Sequence, residues 1–500
     1  DAGRVGVGTV TPNSDAHPEN EKKINVGFIT ARSIAGDIDA NTMVVAGVST
    51  FVGAASFSAD ATINSVTVGK GANSAGNNTV LGENALDAAV TGTNNTAIGA
   101  LTLTLNTSGQ KNSALGSGAL SGNTTGSHNT AIGYESMDQN TDGTNNTAVG
   151  SLTLDANTSG THNTALGQSA LGANTTGTNN VAVGANALDA NTTASSNTAI
   201  GVNALGATTT GTVNTAVGKD ALLVNTTGTR NVAIGGFALD ANTTAADNVA
   251  VGYNALSANT TGANNSAIGY QALRDNTTAS SNTAVGYNSL LVNTTGTNNT
   301  ALGKGAGRTQ TDLNGCTWIG TDAGRVNIAS NNTGVGAGAL YSNTTGTQNT
   351  ALGTGVYGST QGALGSNTTG DHNTAVGSRS LVLNSTGSSN TAVGDRALQA
   401  NTTQSNNTAI GYRALISNST ADQNTAVGAD AMYTNSTGEY NVAMGYMALY
   451  SNTTASNNVA IGYQALLLNT TGTNNVAVGK NALDACTTSV SNVCVGNSAG

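Results

Sequence analysis

A glycine preceded by an aliphatic residue recurs every 17 residues along most of this chain. These anchors step evenly from Gly82 through Gly99 and Gly116 to Gly320. A step of 16 then leads to Gly336, one of 17 to Gly353 and one of 24 to Gly377, after which 17-residue steps resume through to Gly496. Of the 25 anchors, 24 carry Asn four residues earlier, with Cys316 the exception. In most units Ala stands two residues before the anchor, Val, Ile or Leu one before, and Leu four after. A fixed period of this kind is the signature of a stacked repeat.

The energetics of one unit explain why it must stack. Two large apolar side chains contribute roughly 3–6 kcal/mol when buried, whereas ordering 17 backbone residues costs about 17–34 kcal/mol. Neighbouring coils therefore have to share backbone hydrogen bonds and a common apolar column. Helical solenoids need about 30 residues or more per unit, and Gly, Asn and Thr are poor helix formers. The expected class is all-β, a parallel β-solenoid or β-roll of 17-residue coils rising about 4.8 Å per coil. Two short strands per coil are expected, at Asn-Thr-Ala-Val-Gly and at the Ala-Leu segment, with Asn-Thr-Thr-Gly-Thr as a turn. Charged residues make up 8% of the chain and aromatics 3%, which argues against several ordinary globular cores.

Domain organisation follows the repeat. Residues 69–500 form the solenoid, with irregular coils at 304–335 and 354–376. Residues 1–68 form a β-rich cap or a region joining a shaft, with strands at 24–29 and 42–45 and a charge cluster at 19–23. The opening Asp1-Ala2-Gly3-Arg4 is neither a leader nor an initiator Met, which points to a processed product or a fragment.

Alternation along the first strand places Thr and Val/Ile/Leu on one face and Asn, Ala and Gly on the other. The larger row is expected inside the coil. The recurrent Asn, as in Asn248, Asn265 and Asn282, is expected to form an amide column beside the anchors Gly252, Gly269 and Gly286. The small, uncharged row then lies outside, where it suits close approach of other copies, most simply as a homotrimer of parallel chains.

Units such as Asn282-Thr283-Ala284-Val285-Gly286-Tyr287 and Asn407-Thr408-Ala409-Ile410-Gly411-Tyr412 resemble the Asn-x-Ala-Ile-Gly repeats in the heads of trimeric autotransporter adhesins. They are more similar still to the Asn-Thr-Ala-Ile-Gly-Tyr repeats of phage tail-fibre proteins. The resemblance covers about residues 77–500. Val5-Gly6-Val7-Gly8-Thr9-Val10-Thr11-Pro12 is also similar to a tail-fibre segment. The resemblance implies a homotrimeric, left-handed parallel β-roll used for display or attachment, with other tail or fibre proteins as partners.

Chemistry-bearing constellations are sparse. No Ser-His-Asp, Cys-His or paired-carboxylate pattern is apparent, and His17, His128, His162 and His372 are isolated. No cofactor or metal site is expected, and enzymatic function is not expected. The net charge of −10 is spread thinly, and no Lys/Arg run suits a phosphate backbone, so nucleic acid is not an expected partner. No stretch approaches the roughly 20 apolar residues of a membrane span. Cys316, Cys486 and Cys494 occupy repeat positions as small apolar residues; a Cys486–Cys494 bridge is the alternative.

Tyr follows the anchor at Tyr134, Tyr253, Tyr270, Tyr287, Tyr412, Tyr446 and Tyr463. Tyr253, Tyr270 and Tyr287 fall on consecutive coils and should form a ladder, which either stabilises the turn or meets sugars. Triplets such as Asn259-Thr260-Thr261 match glycosylation acceptors. Taken together, the expectation is an extracellular attachment fibre of a virion, most simply a phage tail fibre contacting host surface glycans. A bacterial trimeric surface adhesin and a structural filament or spacer are the alternatives. Ice binding is a remote one, because paired Thr residues adjoin Gly in a turn rather than forming Thr-x-Thr strands.

Overall fold

A computed structural model describes residues 60–72, 75–88, 90–355 and 362–500. The expected strands at 24–29 and 42–45, the charge cluster at 19–23 and the Val5–Pro12 segment lie outside the described residues. The compact unit that holds the repeats runs from Ala59 to Gly500. Its described residues are all-β, with 27 strands in one sheet. A hairpin of β1 (Ala61–Ile63) and β2 (Val66–Gly69) pairs antiparallel with β3 (Thr79–Gly82). It therefore covers the edge that β3 would otherwise leave unpaired. From β3 to β27 (Val493–Val495) every pairing is parallel and in register, one strand per coil. The β-solenoid expected from the period is the observed fold.

Each coil has one strand of about three residues, not two. The Ala-Leu segment is a tight turn in which residues alternate the sign of φ: Asn254 at 52° and Leu256 at 54° flank Ala255. Left-handed Leu is uncommon, yet it recurs at the same place in coil after coil, as at Leu239 and Leu273. The reason is visible in its surroundings. This conformation drives Leu256 into the interior, where it is fully buried, and its N–H donates to Ala272 O on the next coil at 2.9 Å.

The faces of the strand are the reverse of those expected. Ala250 and Asn248 are fully buried, while Val249 and Val251 are half-buried and the equivalent Ile268 is 42% exposed. The core column consists of two Ala rows and one Leu row, as in Ala250, Ala255 and Leu256. Hydrogen bonding decides the parity. The Asn265 carboxamide accepts the Asn282 N–H at 3.0 Å and donates to Ala279 O at 2.8 Å, closing its own coil and fastening the next. A buried amide must find both partners, and only the inward face supplies them. Ala shares that face because Leu from the turn already fills the space.

A second buried Asn column runs through the Asn-Thr-Thr-Gly turn. Asn259 Nδ2 donates to Asn242 Oδ1 at 3.0 Å and to Gly262 O at 2.9 Å. This column is the amide-to-amide ladder; in the column of Asn248, Asn265 and Asn282 the principal contact is from carboxamide to backbone. Asn265→Ala should therefore orphan a buried N–H and a buried carbonyl, costing roughly 2–5 kcal/mol. Hydrogen exchange should rise first at the Asn282 amide, and unchanged exchange there would count against the ladder as a stabilising element.

Two of the three cysteines replace ladder asparagines. Cys316 stands in the first column and its N–H donates to Asn299 Oδ1 at 3.0 Å; Cys486 stands at the turn position. All three thiols are free, so the Cys486–Cys494 bridge is not formed. Burial pushes the Cys316 thiol up to about 11, in keeping with a small apolar role; Cys486 and Cys494 are partly buried.

The irregular coils are absorbed by local exchange. Trp318 takes the place of an inward Ala, and the three nearest large or medium positions become Gly307, Gly324 and Gly334. A Cβ on Gly307 or Gly334 would lie 2.8 or 2.9 Å from the indole, and one on Gly324 would overlap it. The 16-residue step shortens the Asn turn, where Asn327 donates to Ala329 O at 2.6 Å, two residues on instead of three. The seven extra residues fall between Gly355, whose N–H still donates to Ala337 O at 3.4 Å, and Ala363, whose N–H donates to Gly353 O at 3.2 Å, and register resumes with Thr350 paired to Thr374. Residues 356–361 of that irregular coil lie outside the described residues.

Candidate functional site

Side chains just after the anchor stand on the corner that follows the sheet, because a residue there points away from the packed Ala and Leu rows. Equivalent residues on successive coils are then direct neighbours, and aromatic residues stack. Tyr253 and Tyr270 lie 5.9 Å apart between centroids, Tyr270 and Tyr287 5.3 Å, with rings within 13° of parallel. Phe237 meets Tyr253 edge-on at 5.8 Å, and Lys219 Nζ sits 4.9 Å from the Phe237 centroid. The expected ladder is thus present; the row position before Tyr253 is Gly236, so Phe237 caps the ladder edge-on from the adjoining row.

A second aromatic region lies between 412 and 480. Tyr446 and Tyr463 stack at 5.5 Å. Tyr433 and Tyr450, which sequence reasoning did not single out, stack at 5.1 Å on a parallel row; their own 17-residue spacing was the available signal. Arg413 lies against both Tyr412 and Tyr433, at 4.6 and 5.0 Å, and is held there by Asp430 through bonds of 2.8 and 3.0 Å. Tyr134 stands apart, and a hydrogen bond to Glu135 pushes its hydroxyl pKa up.

The first ladder ends at a cleft of about 270 Å³ on the disturbed coils, lined by Tyr287, Asn288, Lys304, Arg308, Asp322 and Arg325. Arg308 and Arg325 are 17 residues apart and so occupy one row. Asp322 pairs with Arg325 at 3.5 Å. Among the described residues no carboxylate lies within ion-pairing distance of Lys304 or Arg308, whereas Lys219, Arg230, Arg274 and Arg413 each have one at 2.6–2.8 Å. Asn288 is 6% exposed, and its Oδ1 has no hydrogen-bond partner.

Other sequence-derived candidates separate cleanly. Asn248, Asn265, Asn282 and their anchor glycines are structural. Asn259 is fully buried, so the Asn259-Thr260-Thr261 triplet is not a glycosylation acceptor in the folded chain: its amide is consumed by the ladder. His128, His162 and His372 occupy the same exposed turn position on separate coils, and His17 lies outside the described residues. Among the described residues no group of three or more His, Cys, Asp or Glu could hold a metal ion, and no helix is long and apolar enough to cross a membrane. Comparison with known proteins adds no family: no family model matches the chain, and no curated protein matches it.

The outward face of the sheet is the other notable surface. On every strand from β3 to β27 the residue before the anchor is aliphatic or Met, and many are exposed, for example Leu166 at 48% and Ile234 at 40%. Thr, Ser or Val stands beside it in nearly every coil, and no charge interrupts either row.

Proposed function

We propose that this chain is a non-enzymatic extracellular fibre segment, built from parallel copies of itself, that attaches to surface glycans. The observation that carries it is the uninterrupted aliphatic row. With about 60 Å² of each side chain left in water, roughly ten coils already reach the upper end of the 300–600 Å² of the largest apolar patch on a typical monomer. A second copy has the same coil-to-coil rise and can match the row along its whole length. The small-residue face once expected at this contact is the coil interior, so the association rests on the aliphatic row instead. The homotrimer and the phage tail-fibre setting are drawn from the sequence resemblance; host glycans and other tail or fibre proteins are the partners that reading supplies.

Light scattering on the purified chain tests the assembly. A particle of several times 49.0 kDa is expected, and Ile200→Asp, Ile234→Asp and Ile268→Asp together should release single chains with the β spectrum retained. A wild-type mass of one chain would defeat the assembly. Attachment is tested by adding soluble chain to host cells. It should compete with the intact particle, whereas a chain that binds no cell and no glycan is a spacer.

Ice binding is favoured by one observation, the outward pairing of Thr227 and Thr229 around buried Gly228. These pairs lie in turns, not strands, and a thermal-hysteresis measurement separates the readings.

A further inference from the structure

We infer that the cleft at the end of the Tyr253–Tyr270–Tyr287 ladder binds an anionic pyranose unit of a surface polysaccharide. The inference rests on the attachment reading above and names its ligand class and residues.

Four features converge on one sugar-sized space. Tyr287 is the last ring of its stack: Tyr270 covers one face, while the next residue in the row is Lys304 and the ring borders the cleft at 50% exposure. An uncovered aromatic face packs against the apolar C–H face of a pyranose, and Tyr270, stacked on both sides, cannot do so equally well. Lys304 and Arg308 are cations without a carboxylate partner among the described residues of a chain of net charge −10, whereas Lys219 and Arg413 are each paired with one. Arg325 adds a planar donor set, though it shares Asp322. Asn288 Oδ1 is a buried acceptor without a donor, and a sugar hydroxyl is a donor of the right kind.

Size and sign narrow the ligand further. A space of about 270 Å³ lies just under the roughly 300–1,000 Å³ typical of drug-sized ligands, which fits one ring and not a folded oligosaccharide. Three cations against one carboxylate select a carboxylate, sulfate or phosphate on that ring. The departures from the repeat coincide with this chemistry. Gly305 replaces a side-chain-bearing turn residue, and a Cβ there would overlap the Asp322 carboxylate.

The test uses the full chain, with oligogalacturonate as the carboxylated probe, dextran sulfate oligomers as the sulfated probe and neutral dextran as the reference. Binding to at least one anionic probe is expected, weakening as salt rises. Lys304→Gln and Arg308→Gln should each reduce it about tenfold, Tyr287→Ala should reduce it, and Lys304→Arg should retain it. Which probe binds tells carboxylate from sulfate. The distant Lys111→Gln is the charge control, and unchanged thermal melting shows that the variants fold. Equal binding by wild type and the Lys304→Gln/Arg308→Gln double variant overturns the cleft. If neutral glycans bind through the ladder regardless of these charges, the cleft fails and the attachment reading stands; if no glycan of any charge binds, both fall.

Discussion

Gly269→Ala is expected to destabilise its part of the stack by at least about 3 kcal/mol, whereas Gly262→Ala, seven residues away, should cost under about 1 kcal/mol. Space alone would order the two the other way. A Cβ on Gly269 would lie 2.6 Å from Gly286 O, and one on Gly262 would press harder still on Ala279 O. Backbone conformation separates them. Gly269 has φ of 133°, a region closed to other L-residues. It is also pinned: its N–H donates to Val251 O at 2.7 Å, and its carbonyl accepts from Ala272 at 3.3 Å. Gly262 has no such φ, and its column carries alanine at Ala194, Ala245, Ala279, Ala421 and Ala455, so the facing carbonyl can yield. Because long arrays need not unfold in one step, the readout is local. Limited proteolysis and hydrogen exchange should open the coils around 265–290 in Gly269→Ala and leave Gly262→Ala close to wild type. Similar effects for both would mean that crowding, not φ, conserves the anchor along the chain.

Trp318→Ala should cost about 3–5 kcal/mol, the usual penalty for emptying a large buried aromatic site. The more informative result is its rescue. Gly307, Gly324 and Gly334 stand where regular coils have Leu, Leu and Ala, and their own φ of 58° at Gly307 and Gly324 is close to the 45–54° of the repeat leucines. Gly324→Leu alone is therefore overpacked against the indole and destabilising, although it restores the commonest residue of that column. Trp318→Ala combined with Gly307→Leu, Gly324→Leu and Gly334→Ala should regain most of the lost stability. The coupling, read by denaturation of single and combined variants, is expected to exceed about 1 kcal/mol. Purely additive effects would sink the volume-exchange account. The indole N–H has no partner in the interior, so part of the native packing energy is already offset.

Side-chain stacking was the most legible part of the site. A 17-residue interval places two residues in one row, and this holds for Tyr253, Tyr270 and Tyr287 and equally for Tyr433 with Tyr450 and Arg308 with Arg325. The last two pairs carried the same signal without a motif to draw attention to it. What could not be read was which of those rows ends in open space. The free face of Tyr287, the unpaired Lys304 and the orphaned Asn288 acceptor depend on neighbours contributed by three different coils.

For the fold, sequence alone determined the period, the coil count within the repeats and the parallel stacking, because each follows from spacing and from the entropy that a single short unit cannot repay. The tertiary structure decided which side of the strand faces inward and how the second half of the coil runs. Side-chain size argued for Val and Ile inside, but the deciding term was the need of a buried Asn amide for a donor and an acceptor on adjacent turns. Those partners exist only once the coils are closed and stacked. The same closure sets Leu256 at positive φ, a choice that no local preference makes and that packing against the two alanine rows does.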